Sequence, residues 1–205
     1  MGSNHVFTED LHQEMGLMTS FRWVHEPSGL LFMLARYKFV RRMLEGYGHV
    51  LEIGCGDGCG ARIVRQVVKS LTCIDIDPAM IASAQANQSK FDIKFICTDE
   101  MTGMWFDAIY SLDVMEHIER EASDVWLHRL SIQAPVVIIG MPSLEAQPYA
   151  SQLSRENHIN CMHGADFKAL MKQHFKHVFM FAFNDEMMHT GNFNMAHYNI
   201  AMGVN

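Results

Sequence analysis

One stretch of the 205-residue chain is built to bring backbone against a ligand: Glu52-Ile-Gly-Cys-Gly-Asp-Gly58. Glycine at every second position permits a tight turn and leaves no Cβ between the main chain and its ligand. Three cofactor chemistries compete for such a loop. A phosphate-cradling P-loop needs Gly-Lys-Ser/Thr, which is missing here. A dinucleotide loop needs its third glycine at position 59, where Cys59 stands. The acid at position 52 would repel a pyrophosphate, yet it suits the cationic amino group of a methionine moiety. Two further acids recur beyond apolar runs: Asp75 in Cys73-Ile-Asp-Ile-Asp77, and Asp99 in Phe95-Ile-Cys-Thr-Asp99. A carboxylate at 75 can accept both hydroxyl hydrogens of a ribose, and one at 99 an adenine amino group. Any one of these acids alone would be an ordinary cap or solvated loop residue. Three in register with a glycine loop point to a nucleoside-bearing ligand.

Acids so far apart in sequence share a rim only if their carriers lie side by side. Short apolar runs at 50–53, 71–76, 93–97, 107–112 and 136–140 read as strands. Helical spacing separates them at 61–70, 78–89 and 121–134, and a further helix at 30–45 precedes the first strand. Asp77-Pro78 is a helix start, an acidic cap followed by a proline pre-set for the first turn. Alternation of this kind implies parallel strands and right-handed crossovers. After a helix at 165–175, the runs 177–183 and 195–202 flank a hydrophilic connection and pair antiparallel at the sheet edge. The expected architecture is α/β, a Rossmann-like doubly wound sheet of about seven strands with helices on both faces. Residues 1–29 show no clear period and form an N-terminal segment, a candidate lid, before a single domain at 30–205.

Composition excludes several partners. With 49% hydrophobic and 19% charged residues, the chain is ordinary globular protein. A net charge of -7 argues against a nucleic-acid surface, which needs a concentrated Lys/Arg face. The densest basic run, Arg36, Lys38, Arg41 and Arg42, fits the wet side of a helix; the other reading has one arginine reaching a ligand carboxylate. No run is long enough to span a membrane, and the start has neither a signal core nor a myristoylation signal. Cys55, Cys59, Cys73, Cys97 and Cys161 lack metal-site spacing and read as reduced thiols of a cytoplasmic protein.

The glycine loop, with Val50 and Leu51 before it, resembles the first motif of the class I S-adenosylmethionine-dependent methyltransferases, of small-molecule type. Cys73-Ile-Asp-Ile-Asp-Pro78 resembles the second motif, and Asp99 the adenine-binding acid. Phe106-Asp-Ala-Ile-Tyr-Ser-Leu-Asp-Val-Met-Glu-His-Ile118 is similar to the fourth-strand signature, and 136–142 to the fifth strand and its turn. The resemblance covers about 30–183 and implies strand order 3-2-1-4-5-7-6, the last strand antiparallel. It implies S-adenosylmethionine as cofactor, with Glu52 at the methionine amino group and Gly54, Cys55 and Gly56 along the methionine and ribose. Asp75 would clamp the ribose, Ile76 would face the adenine, Asp99 would meet the adenine amino group, its neighbour Glu100 would also belong to the cofactor site, and Leu112 would lie beside the methionine.

Methyl transfer to a hydroxyl benefits from a base near neutral pKa, and histidine is the usual choice. Of 12 histidines, His117 follows the fourth strand, and His158 lies in the segment expected to cover the acceptor. Both are candidate catalytic residues; their plain readings are a loop-fixing histidine and an exposed loop residue. Phe21, Trp23, Phe32 and Met33 would line a lid, although core packing or a homodimer contact uses such residues more often. The expected acceptor is a hydroxyl, less favourably an amine, of a small metabolite such as a sugar. One alternative is a metal-assisted RNA ribose methyltransferase, because Asp113-x-x-Glu116-His117 resembles the cation-binding string of small-RNA 3′-terminal ribose methyltransferases. The same string occurs in metal-free relatives, and no metal is assigned. A protein that binds the cofactor without turnover is the other.

Overall fold

The structure is a computed structural model that describes residues 13–87, 91–100, 103, 105–191 and 193–205. The start of the chain and the expected helix end at residue 89 lie outside the described residues. Two helices come first, α1 (Leu17–His25) and α2 (Pro27–Met43). There follow β1 (His49–Ile53), α3 (Ala61–Arg65), β2 (Ser70–Asp75), α4 (Pro78–Ala86), β3 (Lys94–Cys97) and β4 (Ala108–Leu112). A 3-10 turn at Met115–His117 leads into α5 (Arg120–Gln133) and β5 (Val136–Pro142). A second such turn, Leu144–Tyr149, precedes α6 (Gln152–Asn157) and α7 (Gly164–Met171). The chain then forms β6 (His177–Asn184), β7 (Met187–His189) and β8 (Tyr198–Val204).

The strands make one sheet in the order β3-β2-β1-β4-β5-β8-β6-β7. Neighbours from β3 to β5 run parallel, while β8 is antiparallel to both β5 and β6. The Rossmann-like architecture expected from the alternation is therefore present. The addition is β7, a three-residue strand inside the stretch read as a hydrophilic connection, paired to the end of β6. Its turn is possible because Asp185 adopts φ 52, a left-handed conformation that aspartate tolerates better than most residues.

Side-chain alternation divides the core into two layers. Val50, Cys73, Tyr110 and Ile138 pack toward α2, α3 and α4. Leu51, Ile74, Ile109 and Ile139 pack on the opposite face with Leu127 and Leu130 of α5 and Phe167 and Met171 of α7. Parallel strands covered on both faces need apolar residues in succession, which is why β5 reads Val-Val-Ile-Ile without polar alternation.

Two helices depart from expectation. The buried residues of α2 include Leu30, Met33, Tyr37, Phe39 and Val40, whereas Leu31 and Leu34, which a three-residue spacing to Tyr37 would put on the apolar face, are exposed. The run 30–34 is apolar at nearly every position, so its period does not select the phase. The second departure is α1, which lies where no period was evident. Its cap residue Gly16 has no side chain to satisfy the first helical N–H groups. Asp57 does so from the glycine loop: its carboxylate accepts from the Thr19 N–H at 2.7 Å and the Thr19 hydroxyl at 3.1 Å. Leu17 N–H donates to Ser83 Oγ of α4 at 3.0 Å. A helix capped by a distant acid leaves no local signature. By contrast, Asp77 caps α4 as its sequence predicts, accepting from the Ala79 N–H at 2.8 Å.

Candidate functional site

At the carboxyl ends of β1, β2 and β4 lies a cleft of about 1290 Å³. One wall is the glycine loop with the ends of β2 and β3. Gly54, Cys55, Gly56, Asp75, Ile76, Asp99 and Leu112 all line it. Gly54 has φ 78, and a Cβ there would overlap the Val114 side chain. Asp75 shapes the loop itself: its carboxylate accepts from the Gly56 N–H at 2.8 Å and the Asp77 N–H at 3.0 Å. Each oxygen keeps an acceptor site for a ligand hydroxyl. Ile76 stands 74% exposed as an apolar plate at the rim.

Glu52 and Glu100 do not line the cleft. Glu100 is exposed beyond β3. Glu52 is buried beneath the loop, because the pleat that sends Leu51 and Ile53 to one face turns it toward α2. There the Tyr37 hydroxyl donates to it at 2.7 Å, the Tyr110 hydroxyl at 2.8 Å and the Cys73 thiol at 3.3 Å. Burial raises its pKa above the ordinary carboxylate range, against the pull of these three hydrogen bonds. The acid that distinguished this loop from a dinucleotide site thus acts from inside the core. Gly60 belongs to the same device, since a Cβ there would overlap the Tyr37 ring. Gly60→Ala is expected to cost roughly 2–3 kcal/mol by overpacking. Thermal denaturation should show a midpoint lower by about 5–10 °C; an unchanged midpoint would mean that the ring has room to move.

The charged pair that does face the cleft is Arg36 with Asp113. Arg36 Nη1 donates to the two Asp113 oxygens at 2.6 and 2.7 Å, and its Nε donates to the Phe32 carbonyl at 3.1 Å. The guanidinium carbon lies 4.1 Å from the centre of the Tyr198 ring. Burial opposes its charge, but Asp113 and Tyr198 together hold its pKa above the ordinary arginine value. Asp113 has φ 58, one of two non-glycine residues in left-handed backbone among those described. Such strain collects where a side chain must be aimed. The sequence left Arg36 either on a wet helix face or reaching a ligand; the phase of α2, set by Met33 and Tyr37, turns it inward to the cleft.

His117 and His158 meet across the far wall, their ring centres 5.1 Å apart. His117 Nδ1 is 3.0 Å from the Asn157 carbonyl, so it donates its hydrogen there and Nε2 takes no part in that bond. Burial, and then His117, lower the His158 pKa below the ordinary histidine value. Asn160 ties the two segments together: its N–H donates to the Glu116 carbonyl at 3.0 Å and its side chain to Ser123 Oγ at 2.7 Å. Glu116 is fully buried, and neither carboxylate oxygen has a hydrogen-bond partner among the described residues. Burial, and then the charge of Asp113, push its pKa up to about 9.

A glycine loop and acidic strand ends around one cleft define a nucleoside-binding α/β fold of the methyltransferase type. Residues 50–131 match the family model of a methyltransferase domain. An uncharacterized methyltransferase of Mycobacterium bovis is 34% identical over 74 residues, covering 34% of this chain and 38% of that one. The match thus spans little more than a third of that relative's length. In fold, the chain is similar to the methyltransferase domain of bacterial CtHen1-C, with TM-score 0.69, 13% identity, and 84% of this chain and 98% of that one covered. It is also similar to the plantazolicin methyltransferase BpumL in complex with SAH, with TM-score 0.67, 15% identity, and 92% and 88% covered. What the chain shares with these proteins is the methyltransferase fold and, over residues 50–131, the sequence of a methyltransferase domain.

Proposed function

We propose that this protein transfers the methyl group of S-adenosylmethionine to a hydroxyl of a small metabolite, such as a sugar, in the cytoplasm. The observation that carries the reading is one cleft with nucleoside-type partners on one wall and a histidine pair on the other. Asp75 holds the ribose hydroxyls, Ile76 lies against the adenine and Asp99 accepts from its amino group. Leu112 and the backbone of Gly54, Cys55 and Gly56 flank the methionine part. Its zwitterionic end meets Arg36 and Asp113, and the amino-group contact is the role that sequence reasoning gave to Glu52.

The reaction is a single displacement. The acceptor oxygen forms the new C–O bond as the C–S bond breaks, sulfur takes the bonding pair, and the hydroxyl proton departs. The sulfonium is already activated, so alignment supplies most of the rate, up to about 7–11 kcal/mol in favourable systems. His117 and His158 are the groups on the acceptor side that deal with the departing proton. Helix α1 covers the glycine loop, with Met18 and Arg22 at the cleft edge. That gives the described residues 13–29 the part of a lid on a single domain. Five free thiols suit a reducing compartment, and the net charge of -7 speaks against RNA as acceptor.

Titration calorimetry with SAH should give one binding event per chain. Incubation with S-adenosylmethionine and a panel of sugars should give a product heavier by one methyl group. Absence of heat with the intact protein would overturn the cofactor assignment, whereas binding without any methylated product across the panel would count for a non-catalytic binder.

A further inference from the structure

Helices α1 and α2 turn apolar side chains outward. On α1, Leu17, Phe21 and Val24 share one face at helical spacing, and each is more than half exposed, as is Trp23 beside them. The other face of the helix is occupied: Thr19 is buried against Asp57, and Met18 and Arg22 line the cleft. An ordinary surface helix buries its apolar stripe, so α1 is reversed. Helix α2 packs against it and exposes Leu31 and Leu34. The same stripe, at spacings of three, four and seven, continues into Lys38, Arg41 and Arg42. None of these three cations has an ionic partner among the described residues.

Charge indicates the occupant. Residues 17–43 carry five Lys/Arg and one acid, Glu26, in a chain whose net charge is -7. One of the five, Arg36, is paired inside the cleft. An anionic surface is drawn to these two helices and repelled by the rest of the molecule, so charge sets orientation as well as place. Large apolar side chains, a tryptophan and basic residues together are the composition of helices that lie in a bilayer interface. Lysine and arginine stems can lie along apolar surface there while their heads reach lipid phosphates. We propose that the outer faces of α1 and α2 dock on an anionic lipid bilayer. Leu17, Phe21, Trp23 and Val24 enter the acyl boundary, and Lys38, Arg41 and Arg42 meet the headgroups. The contact is peripheral, since no helix among the described residues is long and apolar enough to cross a membrane. A cytoplasmic leaflet carries the required negative charge. Met18 and Arg22 stay on the cleft side of the docked helix, so docking does not depend on which acceptor is methylated.

The probe is a vesicle of phosphatidylglycerol and phosphatidylcholine in equal parts, mixed with the full chain and floated on a density gradient; pure phosphatidylcholine is the second arm. Binding is expected to the charged vesicle, about ten-fold or more weaker to the neutral one, and reduced by salt at about 0.5 M. Lys38→Gln with Arg42→Gln should weaken it about 30-fold. Phe21→Ser with Val24→Ser should weaken it about ten-fold or more. Both of those side chains are exposed, so the melting midpoint should stay within about 3 °C of wild type. Tryptophan emission should move to shorter wavelength on binding, and Trp23→Phe should still bind but lose that shift, with Trp105 and Trp126 in place. No flotation with either vesicle overturns the proposal, as does flotation that both double variants retain. A dimer that Phe21→Ser with Val24→Ser dissolves, seen by analytical ultracentrifugation, would give the face to a second copy of the chain and overturn the bilayer. None of these outcomes touches the methyltransferase reading, which calorimetry with SAH tests on protein without vesicles.

Discussion

Glu52→Ala is expected to destabilise the protein by about 3–5 kcal/mol while leaving the affinity of the folded fraction for SAH within about three-fold. The loss has two sources. Removing the carboxylate strands the hydroxyls of Tyr37 and Tyr110 in a dry core, at roughly 1–3 kcal/mol each, and it leaves a cavity. The melting midpoint should drop by roughly 10 °C or more. Glu52→Gln keeps the shape and polarity and should cost less than half as much. The pH dependence follows from the raised carboxyl pKa. The folded state holds this proton more tightly than the unfolded state. The resulting stability is fully present below the ordinary value of about 4.5 and lost as pH rises through the folded value. Wild type should therefore lose stability relative to Glu52→Gln as melts are taken from pH 5 upward. A variant that folds normally but binds SAH poorly would restore the ligand-contact role and remove the core role argued here.

Asp75→Ala should do the reverse: a modest change in stability and a loss of SAH affinity of about 100-fold or more. Two hydroxyl hydrogen bonds to a charged group contribute roughly 1.5–3 kcal/mol each, and every 1.4 kcal/mol is a factor of ten. The tether from Asp75 to the Gly56 N–H adds to the effect by holding the loop in its ligand-facing shape. Asp75→Asn retains an acceptor for that N–H but cannot accept from both ribose hydroxyls, so its affinity should fall between the two. Calorimetry on all three proteins decides the matter. Equal affinities would mean that the ribose is held elsewhere.

The sequence exposed the features whose chemistry is local. Asp75 ends β2, and Gly54, Gly56, Ile76 and Asp99 sit on loops just after strands, and such a strand end in this architecture faces the cleft whatever else surrounds it. Asp77 capped its own helix two residues on. The features that escaped notice depend on distant partners. Glu52 was read as a strand-end acid because nothing in its neighbourhood announces Tyr37, fifteen residues upstream on another element. Arg36 hung on the phase of a helix whose apolar run had none. Helix α1 is capped by Asp57 from the glycine loop, so its start signal lies 38 positions away. Glu116 was visible as part of a string, but its burial without a partner belongs to the fold alone.

The position of β8 has a consequence for how the protein is made. Its seven residues pair with β5 on one side and β6 on the other, so the final strand in chain order is an interior strand of the sheet. A chain emerging in order can align β1 through β5 early, but it then presents β5 with one edge bare. That edge carries Val-Val-Ile-Ile on a strand buried on both faces, the kind of template on which partly folded chains associate. The β6–β7 hairpin cannot relieve it, because its only place in the sheet is on β8. Completion is therefore one late insertion that closes two edges at once, and the interval before residues 198–204 arrive is when the nascent chain most needs shielding.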